Sequence, residues 1–247
     1  MRSNNTVILL GSHMLPTQHG TIHGDIAKKP LEMAQNIILY TAPGSCGLVP
    51  QTLLHHCNIS FKPIGVSLQN LAELSSKNPK GQVPVFDWNG ELITEVPAIA
   101  HAINHLAPEG KILGRSPVEF VRVCEWMNFL SASIHSQPWG AFVRPFRFTD
   151  EPEAEPGVKR KAKQRLQERL ALMESKLPAD GWVVGEGFTA VDAYCLAISQ
   201  WVVARTDLDF KGDFPKWAAL VDRAHKVEAV QKALAEEKQL AEELNKA

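Results

Sequence analysis

The fold is decided by the stretch between residues 83 and 97, which reads VPVFDWNGELITEVP. Residues 83–88 are mostly apolar and favour a strand, and Asn89-Gly90 is a dipeptide typical of a two-residue hairpin turn. Residues 91–93 return as a further strand. Pro97 suits the first turn of a helix, which we predict to continue to about residue 106. The stretch therefore predicts a β-hairpin followed by a helix.

The residues before this hairpin predict a β-α-β unit. Residues 37–40 form an apolar run that ends in an Ala-Pro-Gly turn, residues 48–57 have helical periodicity, and residues 61–66 favour a second strand. Pro63 favours an edge position for that strand, because proline cannot donate to a neighbouring strand. The order β-α-β, hairpin, α is that of a thioredoxin-like domain, which we place at residues 36–107.

After residue 107 the sequence pattern changes from a mixture of strands and helices to helices alone. We predict a linker at 108–118 and no strand beyond residue 115. A loop is predicted at 148–157, and helices at 119–135, 158–177, 190–203, 215–225 and 227–245. The segment 190–203 is apolar on nearly all sides, as expected of a buried helix, and Thr189 with Asp192 forms a capping pair at its start. The predicted fold class is α+β, with an all-helical domain at 119–247 following the thioredoxin-like domain.

Composition excludes several functional classes. The chain has 26 Lys plus Arg against 27 Asp plus Glu, so neither nucleic acid nor an anionic membrane is an expected partner. Apolar runs are too short for a membrane span or a signal peptide. The four cysteines are scattered without metal-ligand spacing, so we expect no metal, no disulfide scaffold and a reducing, cytoplasmic setting. Residues 1–35 lack a sustained period and are predicted to be a disordered extension.

Cys46 is the first candidate for chemistry. It follows a Pro-Gly turn at the start of a predicted helix, where free amides and the helix dipole favour a thiolate. The same position could hold the thiolate of a bound thiol. The alternative is a small turn cysteine that only packs.

Two further candidates could bind an extended peptide. The backbone of Val83, before the strand and next to Pro84, could pair with such a peptide, particularly if the Val83–Pro84 bond is cis; otherwise it only leads into the strand. Glu95 precedes a helix start, so its carboxylate could accept an amino group while helix amides hold a carboxylate. The alternative for Glu95 is a capping acid.

Asn128 and His135 are candidates on the helical side. They are seven residues apart, which on an α-helix puts them on nearly one face, where both could point into a cleft between the domains. A histidine at a helix end is otherwise often a cap or a surface residue. Trp139 and Phe142 could form an apolar wall for a second substrate, or could simply pack in the core.

Taken in order over residues 37–235, these motifs resemble the cytosolic glutathione transferase family, and most closely its bacterial beta class. The matching strings are YTAPGSC at 40–46, NPKGQVPV at 78–85, LITEVPAI at 92–99, EWMNFL at 125–130, His135, and GFTAVDAY at 187–194. By this resemblance Cys46 matches the active-site cysteine. Val96 and Ala132 stand where the family usually has serine.

The resemblance also implies a set of ligand-binding residues and a partner. Val83 would pair with the cysteinyl unit of glutathione beside a cis Pro84. Gln82, Glu95 and the backbone of Val96 would bind glutathione. Asn128 and His135 would face its sulfur. A homodimer is expected on the same basis.

Three functions follow as hypotheses. The main one is a glutathione transferase that conjugates glutathione to a small hydrophobic electrophile by thiolate attack. The second is glutathione-dependent thiol–disulfide exchange through Cys46, or isomerisation of a metabolite. The third is a non-catalytic docking or dimerisation module.

Overall fold

A four-stranded mixed sheet forms the first half of the computed structural model, which describes residues 36–67 and 74–246. Its strands are β1 (Ile37–Thr41), β2 (Lys62–Gly65), β3 (Val85–Trp88) and β4 (Glu91–Thr94), in the spatial order β2-β1-β3-β4. β1 is parallel to β2 and antiparallel to β3, and β3 is antiparallel to β4. The edge position predicted for the strand that contains Pro63 is confirmed.

Two helices complete this half. α1 (Leu48–His56) connects β1 to β2, and α2 (Val96–Leu106) follows the hairpin. β3 begins at Val85 rather than at the predicted Val83, because the Val83–Pro84 bond is cis and this dipeptide stands outside the ladder. The cis geometry itself agrees with the sequence prediction.

The described residues after the sheet contain helices and no strand. The α-helices are α3 (Pro117–Asn128), α4 (Gly140–Val143), α5 (Glu155–Lys176), α6 (Ala190–Arg205), α7 (Phe210–Asp213), α8 (Pro215–Ala224) and α9 (Glu228–Leu244). Short 3₁₀ helices lie at Pro108–Gly110, Pro145–Arg147 and Pro152–Ala154. α5 therefore begins inside the segment that was predicted as a loop, with Pro156 in its first turn.

The long helix predicted at 119–135 is only partly correct. α3 begins earlier, at Pro117, because the side chain of Ser116 accepts a hydrogen bond from the Glu119 amide and caps it. From Phe129 to Trp139 the backbone is π-helical. Pro138 lies in this segment and lacks the amide hydrogen that an α-helix would use. The changed winding alters which side chains share a face.

One continuous apolar core joins the sheet to the helices. It includes Leu39 and Phe86 from the sheet, Met127 from α3, and Tyr194 and Trp217 from α6 and α8. α6 is buried along most of its length, as its composition predicted. α1 packs against both α6 and α9, so it touches the helical half on two sides.

The residues before Asn36 lie outside those that the structure describes, and so does the extension predicted there. In residues 36–67 and 74–246, no helix combines the length and apolarity needed to cross a membrane.

Candidate functional site

A cavity of about 330 Å³ lies between the sheet and the helices. Eight of the residues singled out in the sequence line it: Cys46, Gln82, Val83, Pro84, Glu95, Val96, His135 and Trp139. They come from the start of α1, the loop before β3, the start of α2 and the π-helical segment. Residues far apart in sequence therefore share one pocket.

Cys46 lies at the floor of this cavity and is almost fully buried. Its thiol donates to the carbonyl oxygen of Val83, with 3.6 Å between Sγ and O. Burial raises the pKa of the thiol to about 12, against the opposing effects of its own backbone amide and of Arg144. Burial thus opposes a Cys46 thiolate and outweighs the effect of the helix start. Cys46 is a thiol that donates to the loop before β3.

The turn before Cys46 is held by the helical half of the molecule. Gly44 has φ of +73°, a left-handed conformation that glycine adopts readily. Its amide donates to Glu237 Oε1 on α9 at 3.3 Å, and its carbonyl oxygen accepts from Trp201 Nε1 on α6 at 2.9 Å. Both peptide groups of this turn are thus fixed by side chains from distant helices.

The loop that carries Gln82, Val83 and Pro84 is shaped by one asparagine. The side-chain Nδ2 of Asn78 donates to the Gln82 carbonyl oxygen at 2.7 Å, and its side-chain Oδ1 accepts from the Lys80 backbone amide at 3.2 Å. Asn78 is buried, so both polar ends of its side chain are used. The loop presents the backbone of Val83 to the cavity.

Glu95 has an unusual backbone at the start of α2. Its φ of 70° and ψ of 120° lie in a region that non-glycine residues rarely occupy. Its carboxylate pairs with Lys80 Nζ, which also donates to Thr94 Oγ1 at 2.9 Å. The conformation brings an acidic side chain and the first amides of α2 to the same end of the cavity. That pairing suits the zwitterionic end of a peptide.

His135 forms a hydrogen-bonded pair with Tyr194 of α6. Its Nδ1 lies 2.9 Å from the Tyr194 hydroxyl, and its ring lies against Trp201 with centroids 4.6 Å apart. Burial, and then the charge of Arg144, lower the pKa of His135 to about 4. Burial, and then the charge of Cys46, raise the pKa of Tyr194 well above its usual value, while the neighbouring Ser131 hydroxyl acts in the opposite direction.

These shifts determine which proton each group holds near neutral pH. His135 is neutral and Tyr194 is a phenol, and the tautomer of the imidazole decides which of the two donates in the bond between Nδ1 and the hydroxyl. The imidazole lines the cavity.

Two of the predicted site residues do not reach the cavity. Asn128 is exposed and donates to the Cys124 carbonyl oxygen of its own helix at 2.8 Å. The spacing argument that paired it with His135 fails because the helix changes to π-helical winding between them. Phe142 packs behind Trp139, with ring centroids 5.9 Å apart, and Val143 and Phe148 line the cavity instead.

Other lining residues were missed by the sequence argument. Ser131 supplies a hydroxyl one residue before the alanine that was taken to replace a serine. Tyr194 was quoted only as the last residue of the family-matching string at 187–194. Three arginines, Arg144, Arg147 and Arg205, also line the cavity. The Arg-Pro-Phe-Arg string at 144–147 was a signal for two of them, because it places two cations close together directly after the predicted aromatic wall.

The described residues hold no cluster of three or more His, Cys, Asp or Glu side chains able to bind a metal ion.

Comparisons with known proteins agree with this architecture. Residues 35–104 match the family model for the glutathione S-transferase N-terminal domain, and residues 130–228 match that for the C-terminal domain. Glutathione S-transferase GstA of Escherichia coli O157:H7 is 28% identical over 208 residues, covering 81% of this chain and 98% of that protein.

Solved structures give the same result. A glutathione transferase from Methylococcus capsulatus is 31% identical with a TM-score of 0.71, covering 82% of this chain and 99% of its own. A beta-class glutathione S-transferase from Sphingomonas chungbukensis has the same fold, with 24% identity, a TM-score of 0.69 and coverage of 81% and 98%. The sheet domain and the helical domain are thus those of a known enzyme family. This chain belongs to the glutathione S-transferase family.

Proposed function

We propose that the protein conjugates glutathione to an electrophile held on the helical side of the cavity. The observation that carries the proposal is the convergence of Val83, Glu95, Cys46 and His135 on one cavity. In this arrangement the backbone of Val83 pairs with the cysteinyl unit of glutathione. Glu95 and the first amides of α2 bind its γ-glutamyl end.

The sulfur of glutathione would then be activated by donors rather than by a base. The S–H of Cys46, which donates to the Val83 carbonyl oxygen in the structure, would turn to the glutathione sulfur. Neutral His135 would present Nε2–H to the same sulfur in the tautomer in which Tyr194 donates to Nδ1, and Arg144 adds positive charge near Cys46. Donors and a cation favour the thiolate over the thiol, which lowers the pKa of the bound sulfur. The thiolate then attacks the electrophile.

Glutathione binding is tested by Glu95→Gln, with 1-chloro-2,4-dinitrobenzene as electrophile. We expect the KM for glutathione to rise about tenfold or more with a smaller change in kcat, because a charge-assisted bond to the ammonium group is lost. Glu91→Gln is the matched control, since Glu91 is an exposed acid on the same hairpin that does not line the cavity. An unchanged KM in Glu95→Gln, or no turnover by the parent protein at millimolar glutathione, would contradict the proposal.

Thiol–disulfide exchange is the second candidate, and the presence of Cys46 in the cavity favours it. It requires the Cys46 sulfur to form a mixed disulfide with glutathione. Cys46→Ser keeps a hydrogen-bond donor at this position but removes the sulfur. We expect Cys46→Ser to retain most of the conjugating activity. If the protein also catalyses exchange, the parent reduces 2-hydroxyethyl disulfide and Cys46→Ser abolishes that reduction while conjugation is retained; a variant that still reduces the disulfide would contradict exchange through Cys46.

We also propose that the protein is a homodimer. Val118, Phe120 and Val121 at the start of α3 are large apolar side chains that are 71%, 42% and 62% exposed. Such a patch is more typical of a contact surface than of a free helix face. Light scattering of the parent protein and of Val121→Glu tests this proposal, with a monomeric parent as the contrary result.

A further inference from the structure

The wall of the cavity opposite the peptide-binding residues carries a cluster of arginines. Arg144 follows α4, Arg147 ends the 3₁₀ helix Pro145–Arg147, and Arg205 is the last residue of α6. Arg144 is half-buried, and Arg147 and Arg205 are exposed. All three belong to the helical half, where a transferase holds its second substrate.

These cations form no ion pair within 4 Å in the parts of the chain that the structure describes. The ion pairs found over residues 36–67 and 74–246 involve other side chains. Glu95 is the carboxylate among the described cavity-lining residues, and it pairs with Lys80. The cavity therefore has an excess of positive charge on its helical side.

The arginines also act on one another. Burial, and then the charges of Arg147 and Arg205, lower the pKa of Arg144, while Cys46 acts in the opposite direction. Like charges held together around a partly enclosed cavity raise the free energy of the empty site. An anion that enters the cavity relieves this repulsion and can accept bidentate bonds from guanidinium groups.

Apolar rings lie beside the cluster. Trp139 and Trp201 stack with centroids 5.6 Å apart at 22°, and both line the cavity. Phe148 also lines it and is 50% exposed, so its ring is open to a ligand. The combination of aromatic rings with guanidinium groups matches a flat apolar body that carries a negative charge.

We propose that the second substrate is an aromatic electrophile that bears a carboxylate. Arg147 and Arg205 bind this carboxylate, while Arg144 remains near the sulfur of glutathione. This inference rests on the proposed function, because it names the substrate class of that site. It narrows the small hydrophobic electrophile expected from the resemblance to one that carries a negative charge. Arg147 and Arg205 are then specificity-determining residues rather than part of the glutathione site.

A matched pair of substrates isolates the charge. 4-Chloro-3,5-dinitrobenzoate and its methyl ester share the ring and the leaving group, but only the acid is anionic. The thiolate supplies the electron pair of the new C–S bond, chloride leaves with the pair of the C–Cl bond, and the thiol proton goes to solvent. We expect kcat/KM, divided by the uncatalysed rate constant, to be about tenfold or more higher for the acid.

A binding experiment tests the site independently of turnover. 3,5-Dinitrobenzoate and its methyl ester lack the leaving group, and calorimetry with the S-methylglutathione-bound protein gives their dissociation constants. We expect the acid to bind about tenfold or more tightly than the ester, with a preference that weakens in salt. Arg147→Gln with Arg205→Gln should remove most of the preference. Arg165→Gln, an exposed arginine on α5 that does not line the cavity, should keep it.

The outcomes separate the two proposals. Equal affinity for acid and ester, or a preference that survives in the double variant, would overturn the anion site. A double variant that loses glutathione affinity as strongly as acid affinity would also overturn it, because the cluster would then belong to glutathione. Preferential acid binding without conjugation of either chloro compound would support the anion site and contradict the proposed conjugation alone.

Discussion

His135 shows how a single residue acquires its role from its neighbours. As a free side chain it would titrate near neutral pH, but burial against Trp201 lowers its pKa to about 4. Its Nδ1 is hydrogen-bonded to the Tyr194 hydroxyl. The sequence could identify the histidine, because its position matched a family motif. It could not identify its protonation state, which depends on residues brought in by α6.

The first prediction concerns this donor. His135→Ala should lower kcat for conjugation about tenfold or more, because a hydrogen bond to a charged sulfur is lost. His135→Gln should recover part of the loss, since its amide can donate from a position similar to Nε2. His105→Gln is the control, on an exposed residue of α2 outside the cavity. Steady-state kinetics of the three variants give the comparison, and equal activity of the Ala and Gln variants would exclude a donor role.

The second prediction concerns pH. Because His135 is already neutral above about pH 5, its titration should not shape activity between pH 5 and pH 8. The pH profile of kcat with saturating glutathione should rise with a single inflection, which belongs to the bound thiol. Tyr194→Phe should change the height of this profile, because phenylalanine cannot form the hydrogen bond to Nδ1 of His135. An inflection that disappears in His135→Gln would show instead that the histidine is a base.

At the scale of elements, the capping pair of α6 was predictable from four consecutive residues. Thr189 and Asp192 form the reciprocal cap, and Asp192 accepts from the Thr189 amide at 2.8 Å and from the Val183 amide at 2.9 Å. Local signals of this kind also predicted the hairpin and the edge strand. The π-helical winding from Phe129 was not predictable, because a single proline inside an apolar segment does not specify how the backbone adapts.

The third prediction is the energetic effect of this cap. Thr189→Ala should lower the free energy of unfolding by about 1–2 kcal/mol. Asp192→Ala should cost about 2–4 kcal/mol, because it leaves several buried donors without an acceptor. Ser116→Ala removes the exposed cap of α3 and should cost less than either. Urea denaturation measures all three, and an Asp192→Ala loss no larger than that of Ser116→Ala would contradict the role of burial.

At the scale of the whole molecule, the contact between the two halves depends on acidic residues of α9. Burial raises the pKa of Glu237 to about 7, despite the bond from the Gly44 amide. Burial also acts on Glu236, but bonds from His55 and Gln51 outweigh it and lower its pKa. The contributions of Glu236 and Glu237 to stability therefore change with pH in opposite directions. Neither shift could be predicted from the acidic, amphipathic sequence of α9, because each depends on contacts with α1 and its preceding turn.

The fourth prediction follows from the sign of each shift. The contribution of Glu237 to stability is full below its unfolded pKa of 4.5 and is lost as pH rises through about 7, by at most about 3 kcal/mol. Glu237→Gln should therefore gain stability relative to the parent at pH 8 but not at pH 4.5. Glu236→Gln should do the reverse and lose stability at pH 8. Urea denaturation of both variants at both pH values measures these changes. If the stabilities of the two variants relative to the parent changed with pH in the same direction, the opposite pKa shifts of Glu236 and Glu237 would be contradicted.

The two hydrogen bonds that hold Gly44 have a consequence for the order in which parts of the protein reach their final structure. The turn before Cys46 emerges early from the ribosome, but the side chains that fix its peptide groups are Trp201 and Glu237. The pocket around the Cys46 sulfur is therefore completed only after α6 and α9 have been synthesised and have packed against this turn.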